Sequence, residues 1–316
     1  MNTHTKWVRS RFVAGVISAT LIGGLFTTTA SAGESAGESG SGKAKFSWSW
    51  NFNNNVSYGH NRTKGSGVTK DESRSINNFS ALTLALPATV TLTQGPIESL
   101  NISADDNILP LITTRVVNNE LLIEGDSNRG FSTHKEIKIR VTVKSINNVK
   151  IKGSGDVFGG PLNSEKLDIA IEGSGDVKLT SIRADQLKIA ITGSGDITID
   201  SVESKSLAST IQGSGDIKLG TVKAGDVTIA LKGSGDISAA GTADKVSIEI
   251  SGSGDVHAAK LIAREVDVRV ASSGEADVHA TEKITARVMG SGEIRYAGSP
   301  KKVDQVVRGS GSIDAI

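Results

Sequence analysis

The chain has no cysteine. That removes disulfides, thiolate metal sites, thiol catalysis and a lipid anchor on an N-terminal cysteine. It is nearly as poor in aromatic residues: after Gly159 the only one is Tyr296. A wide globular core would use more Phe and Trp, so the interior is expected to be thin and aliphatic. Neither sign of charge dominates. Loss of Lys6, Arg9 and Arg11 with the leader described below would take the formal charge from +1 to −2, which argues against a nucleic-acid partner.

What the chain has instead is one phrase that recurs. Gly-Ser-Gly-Asp stands at 153–156, 173–176, 193–196, 213–216, 233–236 and 252–255, then decays at 272–275, 290–293 and 309–312. Successive starts are 20, 20, 20, 20, 19, 20, 18 and 19 residues apart. A period of this size, sustained nine times, means one supersecondary unit stacked on itself.

Apolar residues alternate with polar ones on either side of the phrase. Leu167, Ile169 and Ile171 precede one copy and Val177 and Leu179 follow it; Leu187, Ile189, Ile191, Ile197 and Ile199 repeat the pattern. Period-two alternation of β-branched residues marks half-buried strand. The expected fold is therefore all-β: a single-stranded parallel β-solenoid with coils of about 20 residues. Neighbouring coils should stack ~4.8 Å apart, giving a rod of roughly 38 Å for residues 153–312. Counting by twos puts Gly173 and Gly175 on the inward side, where a narrow cross-section or a positive φ would require glycine.

Three regions precede the regular repeats. Residues 1–32 read as a secretory signal peptide, with Lys6, Arg9 and Arg11, a 15-residue apolar stretch Phe12–Phe26 and a small-residue cleavage site at Ala30–Ala32. The expected location is periplasmic, cell-surface or secreted, with no transmembrane segment after cleavage. Residues 33–75 have the Gly/Ser/Asn-rich composition of a flexible linker. The solenoid domain is expected over 76–316, with irregular first coils and an N-terminal β cap over 76–150 and regular repeats over 151–316.

Two sets of candidate site residues stand out. Phe46, Trp48, Trp50 and Phe52 alternate within the linker, so a strand would place all four on one face. That face either docks on the first coil or forms a strip for sugars or a partner; the third alternative is that the segment is disordered. The aspartates of the repeats, among them Asp176, Asp196, Asp216 and Asp236, would form an outward ladder. It either recruits cations or accepts backbone hydrogen bonds and shapes the turn. Ligands strung along a line do not enclose an ion, so no metal or other cofactor is expected. Catalysis has little to stand on. His60, His134, His257 and His279 have no metal-ligand spacing, no Gly-x-Ser-x-Gly elbow occurs, and the repeat is most regular in its middle.

The chain resembles the head GIN domain family of putative auto-transporter adhesins, bacterial extracytoplasmic proteins. The likeness runs from about residue 60 to the C-terminus. It rests on Lys64-Gly65-Ser66-Gly67, Ile76–Ala81 leading to Val90–Gly95, Ala104 through Leu109, the Gly-Ser-Gly-Asp series, and Tyr296-Ala297-Gly298-Ser299-Pro300. The resemblance implies an all-β solenoid-like fold and assigns no catalytic residues. The repeat pattern runs to Ile316, so the expectation is a chain without its own translocator barrel.

The function expected is a non-catalytic extracytoplasmic binding or adhesin-like module with a flat repetitive β face. The alternatives are an envelope scaffold and a polysaccharide-acting β-helix enzyme. An envelope protein or a surface glycan is the expected partner. Self-association through the C-terminal coil is also expected, because a solenoid exposes unpaired strand edges unless it is capped.

Overall fold

The computed structural model describes residues 62–127 and 129–316. The signal peptide and Phe46, Trp48, Trp50 and Phe52 lie outside the described residues. Apart from one 3₁₀ turn at Leu109–Leu111, the regular structure is entirely β. No described helix is long and apolar enough to cross a membrane.

Each repeat is one long, bent strand followed by the Gly-Ser-Gly-Asp turn. Val177–Gly193, Ile197–Ile211, Ile217–Leu231, Ile237–Ile250 and Val256–Val270 pair in parallel, each with the next. Residue i faces residue i+20 through the first of these pairs, so like stacks on like. Alternation slips twice per coil. In Val177–Gly193 the adjacent residues Thr180 and Ser181 both avoid the core, as do Asp185 and Gln186, while Val177, Leu179, Ile182, Ala184, Leu187, Ile189 and Ile191 are buried. Two successive non-core residues bend a strand. With the glycine turn they give the coil three corners and three short flat sides.

The inward positions form continuous columns. One runs through Ile139, Val90, Val157, Val177, Ile197, Ile217, Ile237, Val256, Ala276, Ile294 and Ile313. Ile169 and Ile189 are neighbours in another, followed by Ser209 and then Ile229. Most of these side chains are completely buried. Each aliphatic one contributes about 1.5–3 kcal/mol relative to an exposed side chain. No coil could bury its face alone, so stability accumulates between neighbours.

The repeat glycines answer to two constraints: Gly153, Gly173 and Gly193 hold a positive φ of 106°, 148° and 140°, as expected of the turn, and the neighbouring coil imposes the second. Gly175 is buried, but Gly173 is only half-buried. A Cβ on Gly213 would drive into the carbonyl oxygen of Gly193, and one on Gly215 into that of Gly195. At this corner the Cα hydrogens face the previous coil rather than the interior. Stacking at strand spacing leaves room for backbone on backbone and nothing more.

The N-terminal region extends the same columns, out of chain order. Ala81–Ala85 lies between Glu120–Gly125 and Asn148–Gly153, parallel to both. Thr89–Gln94 lies likewise between Lys138–Val143 and Asp156–Gly159. The chain therefore starts one layer inside the end, builds the outer layer, and returns past its first coil. Antiparallel strands close this end: Ile112–Val117 against Glu120–Gly125, and Ser99–Asp105 against Lys138–Val143. Thr69–Arg74 pairs antiparallel with Ser99–Asp105. This strand and Thr63–Lys64 fall within residues 33–75, so the linker reading fails for 62–74. The sequence Thr-Lys-Asp-Glu-Ser-Arg is that of a charged edge strand, which composition alone does not separate from a linker. Arg74 donates to the Leu109 and Ile112 carbonyls and ties this edge across the cap.

At the other end, among the described residues, Lys302–Val307 pairs with Glu275–Val288 alone and Ser312–Ala315 with Glu293–Ala297 alone. Val303 and Val307 are about half exposed there.

Candidate binding surface

The Asp ladder begins in the glycine turn. Because Gly155 points its carbonyl toward Gly175, the Asp176 amide needs another acceptor. It donates to Asp156 Oδ1 at 2.9 Å. The pattern repeats from Asp196 to Asp176 (2.9 Å), Asp216 to Asp196 (2.8 Å), Asp236 to Asp216 (2.8 Å) and Asp255 to Asp236 (2.9 Å). It ends where the Glu275 amide donates to Asp255 Oδ1 at 2.8 Å. In return, the Val177 amide donates to the Asp196 carbonyl and the Ile197 amide to that of Asp216. Each carboxylate thus stands in for a main-chain carbonyl that the turn has rotated out of the ladder.

This engages one oxygen of Asp176, Asp196, Asp216 and Asp236, the residues that could have recruited cations. Among the described residues no three His, Cys, Asp or Glu side chains are grouped to hold a metal ion. His257 faces Asp277, with Nδ1 3.6 Å from Oδ2, and His279 faces Ile262. The two histidines lie in successive coils and do not stack.

Outside the turn, the outward rows carry charges that alternate along the stack. Glu203 meets Arg183 at 2.6 Å on one side and Lys223 at 3.9 Å on the other. Lys205 pairs with Asp185 at 2.8 Å, and Arg264 with Glu282 at 3.3 Å and Asp244 at 3.8 Å. Arg295 reaches Asp277 at 2.7 Å, Glu275 at 3.5 Å and Glu293 at 3.8 Å. Hydrogen bonding to Asp185 raises the Lys205 pKa, and Asp277 and Glu282 do the same for Arg295 and Arg264. Exposed pairs of this kind add little to stability, because water and salt screen them. Their effect is to fix long side chains in rows on the face. Ala184, Ser204 and Ala224, stacked in one column, line the channel between two such rows.

Alternation alone did not reveal these rows. The signal becomes visible once the chain is written with a 20-residue period, when Arg183, Glu203 and Lys223 fall in one column. The surface so built is flat, long and polar, with shallow grooves at its corners. It can hold an extended ligand by many weak contacts.

The family model described as "Putative auto-transporter adhesin, head GIN domain" matches residues 78–202 and again residues 188–300. The second match begins inside the first, as expected of stacked repeats. Among solved structures, one described as a putative lipid binding protein from Parabacteroides distasonis is 27% identical, with TM-score 0.63, over 81% of this chain and 99% of that one. A putative adhesin from the same organism is 22% identical with TM-score 0.67, over 81% of this chain and 100% of that one. A putative adhesin from Parabacteroides merdae has the same identity and TM-score, over 81% and 99%. The latter two show the likeness of fold. No curated protein matches the chain. With the repeats, the three-sided coil and both matched regions in agreement, the chain belongs to the head GIN domain family of putative auto-transporter adhesins.

Proposed function

We propose that this protein is a non-catalytic binding module of the bacterial cell envelope. It holds a surface glycan or an envelope protein against the outward rows of the solenoid. The observation that carries this reading is the register. Coil after coil places its outward side chains at the same positions, with charge alternating along a row as in Arg183, Glu203 and Lys223, so an extended partner meets a regularly spaced array of contacts. Weak contacts in such an array add through effective concentration. The family's extracytoplasmic character supports an exported location, as does the leader read in residues 1–32.

The relative named as a lipid binding protein does not redirect the reading. An acyl chain would need interior space, and here the columns of Ile, Leu and Val fill it.

A glycan array probed with the full chain, alongside a pull-down from intact cell surfaces, tests the proposal. Saturable binding to a surface polysaccharide or an envelope protein is expected. Silence on both, with turnover of a polysaccharide, would replace the module with an enzyme.

A further inference from the structure

The regular run of coils is first broken by a dent whose origin is a missing residue. Between Gly233 and Gly252 the repeat takes 19 residues, after a run of 20s. The deficit falls at the first corner. Leu219 faces Ala239 and Thr221 faces Ala240, so Gly220 has no counterpart in the next coil. One layer on, Ser238 faces His257 and Ala240 faces Lys260, so two residues, Ala258 and Ala259, oppose Ala239 alone. The coil Ile237–Ile250 is therefore recessed between two fuller ones.

A groove of about 400 Å³ occupies the recess, within the size range of small-molecule sites. Gly220, Ala239, Ala240 and Ala259 floor it, and Lys218, Lys260 and His257 stand around it. Among the described residues neither lysine is in an ion pair, in contrast to Lys205 and Arg295. The acid that lines the groove, Asp277, is held by Arg295. A second groove continues from it toward the Asp ladder, sharing Lys218, Ser238 and His257 and adding Asp216 and Asp236. Two unpaired ammonium groups call for an anion. The adjacent carboxylates and the Ser238 hydroxyl call for hydroxyl donors and acceptors.

We propose that this notch binds a uronic-acid residue of an acidic saccharide. The sugar carboxylate lies between Lys218 and Lys260, and the sugar hydroxyls turn toward Ser238, His257 and Asp236. This rests on the binding-module reading and names its ligand class. The small-residue floor admits the face of a pyranose ring, which a Leu or Lys at position 239 or 240 would block. Lys218 and Lys260 stand two coils apart, roughly 10 Å along the stack, a gap that two long side chains can close on one shared carboxylate.

The test is calorimetric titration of the full chain with trigalacturonate, with maltotriose as the neutral control and citrate as the non-sugar polyanion. Trigalacturonate should bind, with affinity falling as salt rises. Lys218→Ala with Lys260→Ala should weaken binding about tenfold or more, while the pair Lys218→Arg and Lys260→Arg retains most of it. Ser238→Tyr should block the groove, and Lys178→Ala, on the same row two coils away, should change nothing. Unaltered melting temperatures establish that the variants fold. Equal affinity in the double-alanine variant, equal binding of maltotriose, or tighter binding of citrate would each overturn the assignment. Glycan-array hits that survive Ser238→Tyr would overturn the notch and leave the module reading standing. A chain silent toward every surface ligand would lose the module reading itself.

Discussion

The amide of Asp196 donates to the side-chain oxygen Oδ1 of Asp176 at 2.9 Å, one coil away. The carboxylate completes a main-chain ladder that the glycine corner would otherwise break. Only the acceptor oxygen is required for this, not the charge. Stacked like charges ~4.8 Å apart in fact repel by up to about 1 kcal/mol before salt screening. Asp176→Asn should therefore leave the melting temperature near that of the parent, whereas Asp176→Ala should cost about 1–2 kcal/mol. Chemical denaturation of the two variants checks it. Equal losses would mean that the charge, and not the acceptor, matters.

The glycine corner gives a second expectation. Gly213→Val forces a side chain into the carbonyl of Gly193, and the backbone of the neighbouring coil cannot yield cheaply. Ser214→Val changes an exposed position on the same turn. The first should destabilise by several kcal/mol (~3 or more, as for overpacking against fixed atoms) and the second by less than about 0.5. Indistinguishable melting temperatures would rule out backbone-on-backbone stacking at this corner.

Ser209 interrupts the Ile189–Ile229 column. It is 1% exposed, and its hydroxyl has no hydrogen-bond partner among the described residues. A buried hydroxyl left unpaired costs about 1–3 kcal/mol. Ser209→Val should raise the stability of the chain by roughly 1–2 kcal/mol, by removing that cost and restoring the aliphatic column. A lower melting temperature would show that Ser209 has a partner that matters more than the packing.

Among the described residues Lys302–Val307 and Ser312–Ala315 are strand-paired on one side only, and their amides should exchange sooner than those of Ile217–Leu231, which is paired on both. Hydrogen exchange read by mass spectrometry at low protein concentration checks this. Protection of 302–315 that grows with concentration, and is lost in Val303→Lys with Val307→Lys, is the outcome expected of self-association through this coil. Protection equal to the central coils at every dilution would contradict an open edge.

The period carried most of the fold because it is a statement about stacking. Once Ile169, Ile189 and Ile229 fall in one column, the parallel register follows. What it could not carry is pairing between segments that share no repeat. Ala81–Ala85 sits between Glu120–Gly125 and Asn148–Gly153 because the cap folds back on itself, and nothing in the local alternation of Leu82 and Leu84 encodes that order. Thr69–Arg74 was hidden for a related reason, since an edge strand facing water needs no apolar face. The Asp ladder was legible in position but not in detail. Sequence placed Asp176 and Asp196 one above the other, while the direction of each bond depends on the rotation of Gly155 and Gly175. The notch was present as the first step of 19 after four steps of 20, a signal that acquires meaning only once the neighbouring coils are in place.

The most direct measurement is equilibrium binding of the labelled full chain to isolated bacterial envelopes, sedimented and counted over a range of concentrations. A module that holds its partner through repeated outward rows should bind saturably, and unlabelled chain should displace it. Binding should also fall when charges are reversed at Arg183 and Lys205, which lie on the surface and leave the core untouched. Uptake that never saturates, or that is indifferent to those reversals and to competitor, would contradict a binding function for the solenoid face.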